Sequence, residues 1–426
     1  MNWLLHLRVD HTAFLVAVDV AMVIIAILLI PRGRSRPRPW LAWPVPVLVG
    51  AGIGLLLTWL IGDVADAFGL TLTPITRMWV ALGFAGIALA VTRLWTSSWW
   101  RRIIAAMGIP IMALGALAGI NVDFGAYRNL HDALGLGNYP TLTESIAPAS
   151  AARTWTPPVD MPRTGIVRRV AIPGPTSRFA ARDAVVYLPP AALTANPPRL
   201  PVILMFAGQP GAPSDMFTAG RVEKTLDAYA TAHHGIAPMV VAPDQLGAPD
   251  RNPMCVDSPL GDVASYITID VTRWIRSHLP VATDPDSWAI AGYSEGGTCA
   301  MQFGAGHPDL FSSILSISGE LAPTIGAKTV DVAFHGSAEA YRHAQPLSLL
   351  AAHGPYTGSY AIFGAGQDDA KFSTFQHTTD AAAKAAGMQT EFISSPGTAH
   401  DWNTVRYVLA RGLPKLADRL VTTPAA

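Results

Sequence analysis

The sequence predicts an α/β fold, a mainly parallel sheet flanked by helices, preceded by a four-helix transmembrane region. Three observations predict it. Short apolar runs bounded by Gly and Pro alternate with longer helical patterns after about residue 165. Apolar residues crowd the first 120 positions into four long stretches. One serine stands in Gly292-Tyr293-Ser294-Glu295-Gly296, between the apolar run 288–291 and a helical pattern that opens near Gly297.

The 426 residues are too many for one ordinary domain. Thirty Lys and Arg against thirty Asp and Glu leave a formal charge of +0, which excludes the basic excess of a nucleic-acid binder. Charged residues make up only 14% of the chain, low for a soluble enzyme, and the mean hydropathy is positive.

The four apolar stretches are residues 12–30, 41–62, 78–94 and 103–120. Their lengths lie near the roughly 20 residues a helix needs to cross hydrocarbon. The last two are a little short, but Trp95, Trp99 and Trp100 close them as aromatic anchors would at a membrane interface. A cleaved signal peptide accounts for the first stretch at most. Buried soluble helices would alternate polar and apolar faces, and these stretches do not. Arg32, Arg34, Arg36 and Arg38 lie between the first and second stretches, and Arg93, Arg101 and Arg102 between the third and fourth. The second–third connection holds Asp63, Asp66 and only Arg77. Positive charge marks the cytoplasmic side, so both termini and everything after about residue 121 are expected outside the cytoplasm.

Residues 1–122 therefore read as the transmembrane region and 165–422 as the catalytic domain. The Pro-, Ser-, Thr- and Ala-rich 123–164 reads as a linker with a short helix near 127–135. Strands are expected at 165–172, 182–188, 202–206, 239–242, 288–291, 313–317, 330–334, 360–363 and 390–393. Helices are expected at 214–232, 266–279, 373–386 and 402–420.

The turn around Ser294 carries the chemistry. A serine on so sharp a strand-to-helix turn sits in strained backbone, and a side chain at either flanking glycine would collide with strand or helix. The helix N-terminus behind it offers free N–H groups to a developing oxyanion. A serine hydroxyl needs a base, and the base needs an acid to orient it; both follow the serine in this order of chain. Of the six histidines after Ser294, only His400 falls in a loop between a late strand and the terminal helix. His307 reads as a helix cap and His377 as mid-helix. The acid is expected just past the strand at 360–363, where Asp368 and Asp369 stand, with Glu320 after the strand at 313–317 as an outside candidate. Whichever aspartate is not catalytic is expected to be a solvated loop carboxylate or a helix cap. The oxyanion donors are expected to be the N–H of Glu295 and that of Gln209, since Pro210 has none. On the oxidising side of a membrane Cys255 and Cys299 are expected to form a disulfide that clamps a loop beside the serine. No cluster of His, Asp or Cys stands at metal-ligand spacing, so no metal or cofactor is expected.

Over about 165–420 the chain resembles the esterase D family of α/β-hydrolases, which includes S-formylglutathione hydrolases, feruloyl esterases and mycobacterial mycolyltransferases. The resemblance rests on strand-Gly208-Gln209-Pro210-Gly211, on Gly292–Gly297 with His307-Pro308-Asp309-Leu310-Phe311, on Gly366-x-x-Asp369, and on His400-Asp401-Trp402. Its G-x-x-D turn implies Asp369 rather than Asp368 as the acid. The mycolyltransferases use a glutamate further downstream that this chain does not clearly show. The membrane region resembles that of actinobacterial membrane-anchored members.

The expected activity is a membrane-anchored, extracytoplasmic serine esterase that acts on acyl esters of cell-envelope lipids or glycans through an acyl-enzyme. An acyltransferase to a sugar hydroxyl is the alternative with the same intermediate. A serine peptidase is disfavoured because no propeller or large cap domain precedes the hydrolase. A catalytically inactive membrane scaffold is the reading from another class, and the intact Ser294, Asp369 and His400 oppose it. The partners expected are the ester substrate and membrane lipids, and no nucleic acid.

Overall fold

The computed structural model describes residues 5–30, 43–67, 69–136, 139–143, 146–150 and 155–421. By contacts the chain divides into a first unit, Met1–Gly137 together with His400–Trp402, and a second unit over Asn138–Ala399 and Asn403–Ala426.

The apolar stretches of the first unit become helices because intrahelical bonds satisfy every backbone polar group without water. They are α1 (Thr12–Leu29), α2 (Pro44–Thr58), α3 (Pro74–Thr96) and α4 (Trp99–Phe124), with α2 running on as π-helix over Trp59–Val64. The spans are 18, 21, 23 and 26 residues, long and apolar enough to cross a membrane. The third and fourth thus exceed the short stretches expected. Polar residues at helix ends lengthen them without breaking the backbone ladder, and Arg93, expected between helices, lies inside α3. Arg32, Arg34, Arg36 and Arg38 lie outside the described residues. Small residues let the helices approach. A Cβ on Gly54 would stand 3.0 Å from Ala81 Cα, and one on Gly83 would stand 2.7 Å from Ala116 Cβ. At the Asp63 end, Arg77 donates to both Asp63 oxygens at 2.7 Å, and Thr73 and Thr76 donate to Asp123.

The second unit is built on an eight-stranded sheet, beside which 257–258 and 261–262 pair as a small antiparallel ribbon. The strands of the sheet are β1 (Ile166–Val170), β2 (Ala184–Leu188), β3 (Val202–Phe206), β4 (Met239–Ala242), β5 (Trp288–Tyr293), β6 (Ser313–Ile317), β7 (Tyr360–Gly366) and β8 (Gln389–Ser395). The order across the sheet is β1-β2-β4-β3-β5-β6-β7-β8. β1–β2 and β2–β4 are antiparallel and every later pair is parallel. The central strands are near-continuous apolar runs, and β3 and β5 are buried along their whole lengths, as strands covered on both faces must be.

The covering helices include α5 (Val222–Ala232), α6 (Thr272–His278), α7 (Glu295–Gly306), α8 (Ala370–Ala385) and α9 (Trp402–Val421). α9 buries Val405, Val408, Leu409, Leu413, Leu416 and Leu420 at helical spacing. Each such side chain contributes about 1.5–3 kcal/mol. The helix expected at 214–232 is broken: a short turn Asp215–Thr218 ends at Gly220, and Arg221 takes a left-handed φ of 59° before α5.

The strand expected at 330–334 is instead a helix, Thr329–Ala333. β6 pairs directly with β7, from Ser313↔Tyr360 to Ile317↔Gly364, so the sheet has no slot for another strand there. Alternation in that segment serves a local cluster, in which Ala333 and Phe334 pack with Met254. The segment before β1 is fastened to the sheet. Arg169 N–H donates to Pro140 O and Leu142 N–H to Arg169 O, both at 2.8 Å, which lays 140–142 beside β1. The short helix expected near 127–135 occupies Leu130–Ala133.

Candidate active site

β5 delivers Ser294 directly into α7, with φ 57° and ψ −121°. A side-chain-bearing residue takes that left-handed φ only when its surroundings enforce it. A Cβ on Gly292 would meet Gly296 O at 2.0 Å, and one on Gly296 would meet Ala207 O at 2.3 Å. Both flanking positions are thus closed to any side chain. Ser294 N–H donates to Ile317 O at 2.9 Å, which anchors the turn to β6.

The turn after β3 approaches from the other side. A Cβ on Gly208 would stand 3.1 Å from Ser294 Cβ. Gln209 follows, half-buried, with its side-chain amide donating to Asp250 O at 3.2 Å, and the Gln209–Pro210 peptide is cis. Glu295 is the first residue of α7, so its N–H lies outside the helix's own hydrogen-bond ladder.

The floor beneath this turn was not legible in any motif. Gln245, buried at the exit of β4, donates through Nε2 to Ala207 O at 2.8 Å and to Glu295 Oε2 at 3.0 Å. Its own turn is held by buried Asp244, which accepts from Arg182 Nη2 at 2.7 Å and from the N–H groups of Leu246 and Gly247 at 3.1 Å. The one sequence signal was position: Gln245 follows a parallel strand adjacent to β3, at the sheet edge where such folds collect functional groups. Glu295 Oε1 lies 2.9 Å from Cys299 Sγ, and Cys299 is joined to Cys255 with a Cα–Cα distance of 5.5 Å. The disulfide expected between them is present, and it ties the 249–258 loop to α7. Its cysteines fill the one cluster of possible metal-ligating groups found among the described residues, Cys255, Glu295 and Cys299. Burial, reinforced by Glu320 and Asp244, pushes the Glu295 carboxyl up to about 8, with the Gln245 hydrogen bond opposing.

Asp369 stands at the end of β7, buried, and its Oδ1 accepts from Phe372 N–H at 3.2 Å to cap α8. The cap role therefore falls on Asp369 and not on its neighbour, because only Asp369 occupies the residue before the first helical turn. Capping uses one of its two oxygens. Asp368 is exposed, and its N–H donates to Thr398 O at 2.9 Å. Gln367 N–H donates to Ser395 O at 2.8 Å, so the G-x-x-D turn and the loop leading to His400 are bonded backbone to backbone. Thr404 Oγ1 closes that loop by donating to Ala399 O at 2.6 Å. His400 is the next residue, buried, between β8 and α9. Glu320 follows β6 with its N–H donating to Thr298 Oγ1 at 2.8 Å; burial pushes its carboxyl up to about 7, against the pull of Lys371. His307 is the C-cap of α7, and His377 lies within α8 stacked on Phe392 at 3.8 Å.

The family model described as "Putative esterase" matches residues 180–404. An uncharacterized protein of Corynebacterium glutamicum is 30% identical over 430 residues, which cover 96% of this chain and 97% of that protein. A ferulic acid esterase of known structure superposes with a TM-score of 0.52 at 17% identity, over 62% of this chain and 100% of its own. The S-formylglutathione hydrolase from Agrobacterium tumefaciens gives 0.51 at 18% identity, over 61% and 98%. Both are similar to this chain in fold.

Proposed function

We propose, for a chain that belongs to the esterase family and is an ester-hydrolysing enzyme, a membrane-anchored serine esterase whose catalytic unit faces away from the cytoplasm. Ser294 is its nucleophile, His400 its base and Asp369 the carboxylate that orients the imidazole. The observation that carries the reading is the backbone of Ser294, held at φ 57° between two glycines whose positions admit no side chain. Strain retained at one side chain on a strand-to-helix turn serves to present its hydroxyl. The three residues come from the carboxyl ends of β5, β7 and β8 of a single sheet.

In the reaction, Ser294 Oγ attacks the ester carbonyl carbon as His400 takes the hydroxyl proton. The carbonyl electron pair moves onto oxygen, where the N–H groups of Gln209 and Glu295 receive it. Losing one such donor typically costs about 3 kcal/mol of transition-state stabilisation. Collapse of the tetrahedral intermediate breaks the bond to the alcohol, which leaves with the proton from His400, and an acyl-serine remains. Water then attacks the acyl carbon, yields its proton to His400, and the second collapse returns that proton to Ser294 as the acid departs. A sugar hydroxyl in place of water gives acyl transfer by the same steps.

The four apolar helices support membrane anchoring, and the arginines at the end of α3 and the start of α4 support an outward-facing catalytic unit. An outward site beside a membrane favours acyl esters of envelope lipids or glycans as substrates. Labelling by a fluorophosphonate probe tests the nucleophile: wild type should react and Ser294→Ala should not. An acyl-ester panel of graded chain length, run with and without trehalose, reads substrate class and acceptor. Absence of turnover on every ester would overturn the proposal.

A further inference from the structure

A guanidinium buried among apolar helices is costly unless an opposite charge or several acceptors meet it. Arg93, one turn before the end of α3, is only 7% exposed. Its Nη1 reaches Thr96 Oγ1 at a long 3.4 Å, and among the described residues its Nε and Nη2 have no partner. Arg101, in the first turn of α4, donates through Nη2 to Ile30 O at 3.1 Å, and its Nε also lacks a partner among the described residues. Only Ser97 and Ser98 separate α3 from α4, so both arginines lie at the same end of the helices.

No carboxylate in the neighbouring sequence can balance them. Residues 20–62 and 78–122 contain no Asp or Glu, yet hold Arg32, Arg34, Arg36, Arg38, Arg93, Arg101 and Arg102. The start of α4 adds further donors, since its cap residue Ser98 makes no side-chain bond to the helix's free N–H groups. This end of the helices also carries Trp95, Trp99 and Trp100, exposed by 73%, 74% and 43%. Exposed tryptophans at a helix end mark the headgroup level of a bilayer. Each of these observations concerns the first unit alone.

We propose that the side chains of Arg93 and Arg101, with the free backbone N–H groups of Trp99 and Trp100, form a binding site for the phosphate of an anionic membrane lipid, whose diester oxygens supply the missing acceptors. The planar fork of arginine matches two phosphate oxygens at once, and charge-assisted pairs of this kind are the strong ones. The proposal rests on reading the helices as membrane spans, not on the esterase chemistry.

The test uses the full chain in zwitterionic detergent, with the midpoint of thermal unfolding of the helical unit followed as phosphatidylglycerol is added. The wild type should be stabilised by phosphatidylglycerol, unchanged by phosphatidylcholine and unchanged by inorganic phosphate. Arg93→Gln removes an unbalanced buried charge, so without anionic lipid it should be at least as stable as wild type. With phosphatidylglycerol the ranking should reverse. Arg102→Gln, whose Nε only reaches Ser97 O at 2.9 Å, should respond to phosphatidylglycerol as wild type does. An Arg93→Gln protein less stable in both conditions by the same margin would assign the arginine a structural role and overturn the site. An equal response to inorganic phosphate would mean an adventitious ion only, and would overturn the lipid assignment. If Arg93→Gln does not fold, native mass spectrometry of the wild type decides. Retention of phosphatidylglycerol over phosphatidylcholine by about tenfold, equivalent to about 1.4 kcal/mol, supports the site, and no preference overturns it.

Discussion

Gln245 Nε2 bridges Ala207 O and Glu295 Oε2, at 2.8 and 3.0 Å. One side-chain amide thereby ties the turn after β3 to the first residue of α7. The two backbone donors proposed for the oxyanion, at Gln209 and Glu295, belong to the two segments it joins. Glu295 itself is fully enclosed and holds its proton up to about 8.

The titration of Glu295 makes stability depend on pH. A carboxyl whose folded value lies above its ordinary 4.5 favours folding while protonated in both states. That contribution is complete below about 4.5 and is lost progressively as pH rises through about 8. Thermal midpoints measured between pH 5 and 8.5 should therefore fall, and Glu295→Gln should flatten the fall. A variant with the wild-type slope would show that the proton sits elsewhere.

Ser294, His400 and Asp369 should behave as one unit. Ser294→Ala and His400→Ala should each remove nearly all turnover of a short activated ester, and the double variant should be little worse. Asp369→Asn should lose less than either, because it disturbs orientation while leaving nucleophile and base. Wild-type rates in Asp369→Asn, with losses in Asp368→Asn or Glu320→Gln, would move the acid to one of those positions.

The Cys255–Cys299 bridge closes a loop with a sequence separation of 44 residues. Chain-entropy arithmetic for such a loop gives about 4 kcal/mol of stabilisation. Cys255→Ser with Cys299→Ser should lower the temperature of half-inactivation of the esterase, and reduction of wild type should reproduce the loss. Equal inactivation temperatures for oxidised and reduced enzyme would remove the clamp from the account.

Sidedness is checked with fusions after Val421. Alkaline phosphatase there should be active in cells, and a reporter that fluoresces only in the cytoplasm should stay dark. Exchange of Arg101 and Arg102 for glutamine should weaken that orientation without moving the helices, since charge beside the spans sets it. Bright cytoplasmic fluorescence from the wild-type fusion would reverse the topology.

Strands and turn were readable where one local rule dominated. Val202–Phe206, Met239–Ala242 and Ser313–Ile317 coincide with their apolar runs because each is buried on both faces. The Ser294 turn announces itself because glycine is the sole residue that fits at 292 and 296. Residues 330–334 misled because apolar alternation over five residues cannot distinguish a strand from a short helix against a satellite cluster. Gln245 stayed hidden for a different reason. Its importance lies in two partners, Ala207 and Glu295, which are 38 and 50 residues away in sequence. No local pattern encodes such a pairing.

The pairing of residues 140–142 with β1 has a consequence for solubility. An open sheet ends in a row of unpaired N–H and C=O groups that can template association with another chain. Here the segment leading out of the helical unit occupies part of that row at Arg169. A shortened protein beginning at Gly165 would keep every strand of the sheet and lose this cover. Its bared edge would invite strand-to-strand dimers and, at high concentration, precipitation, so the leader segment acts as a built-in guard against aggregation as well as a connection.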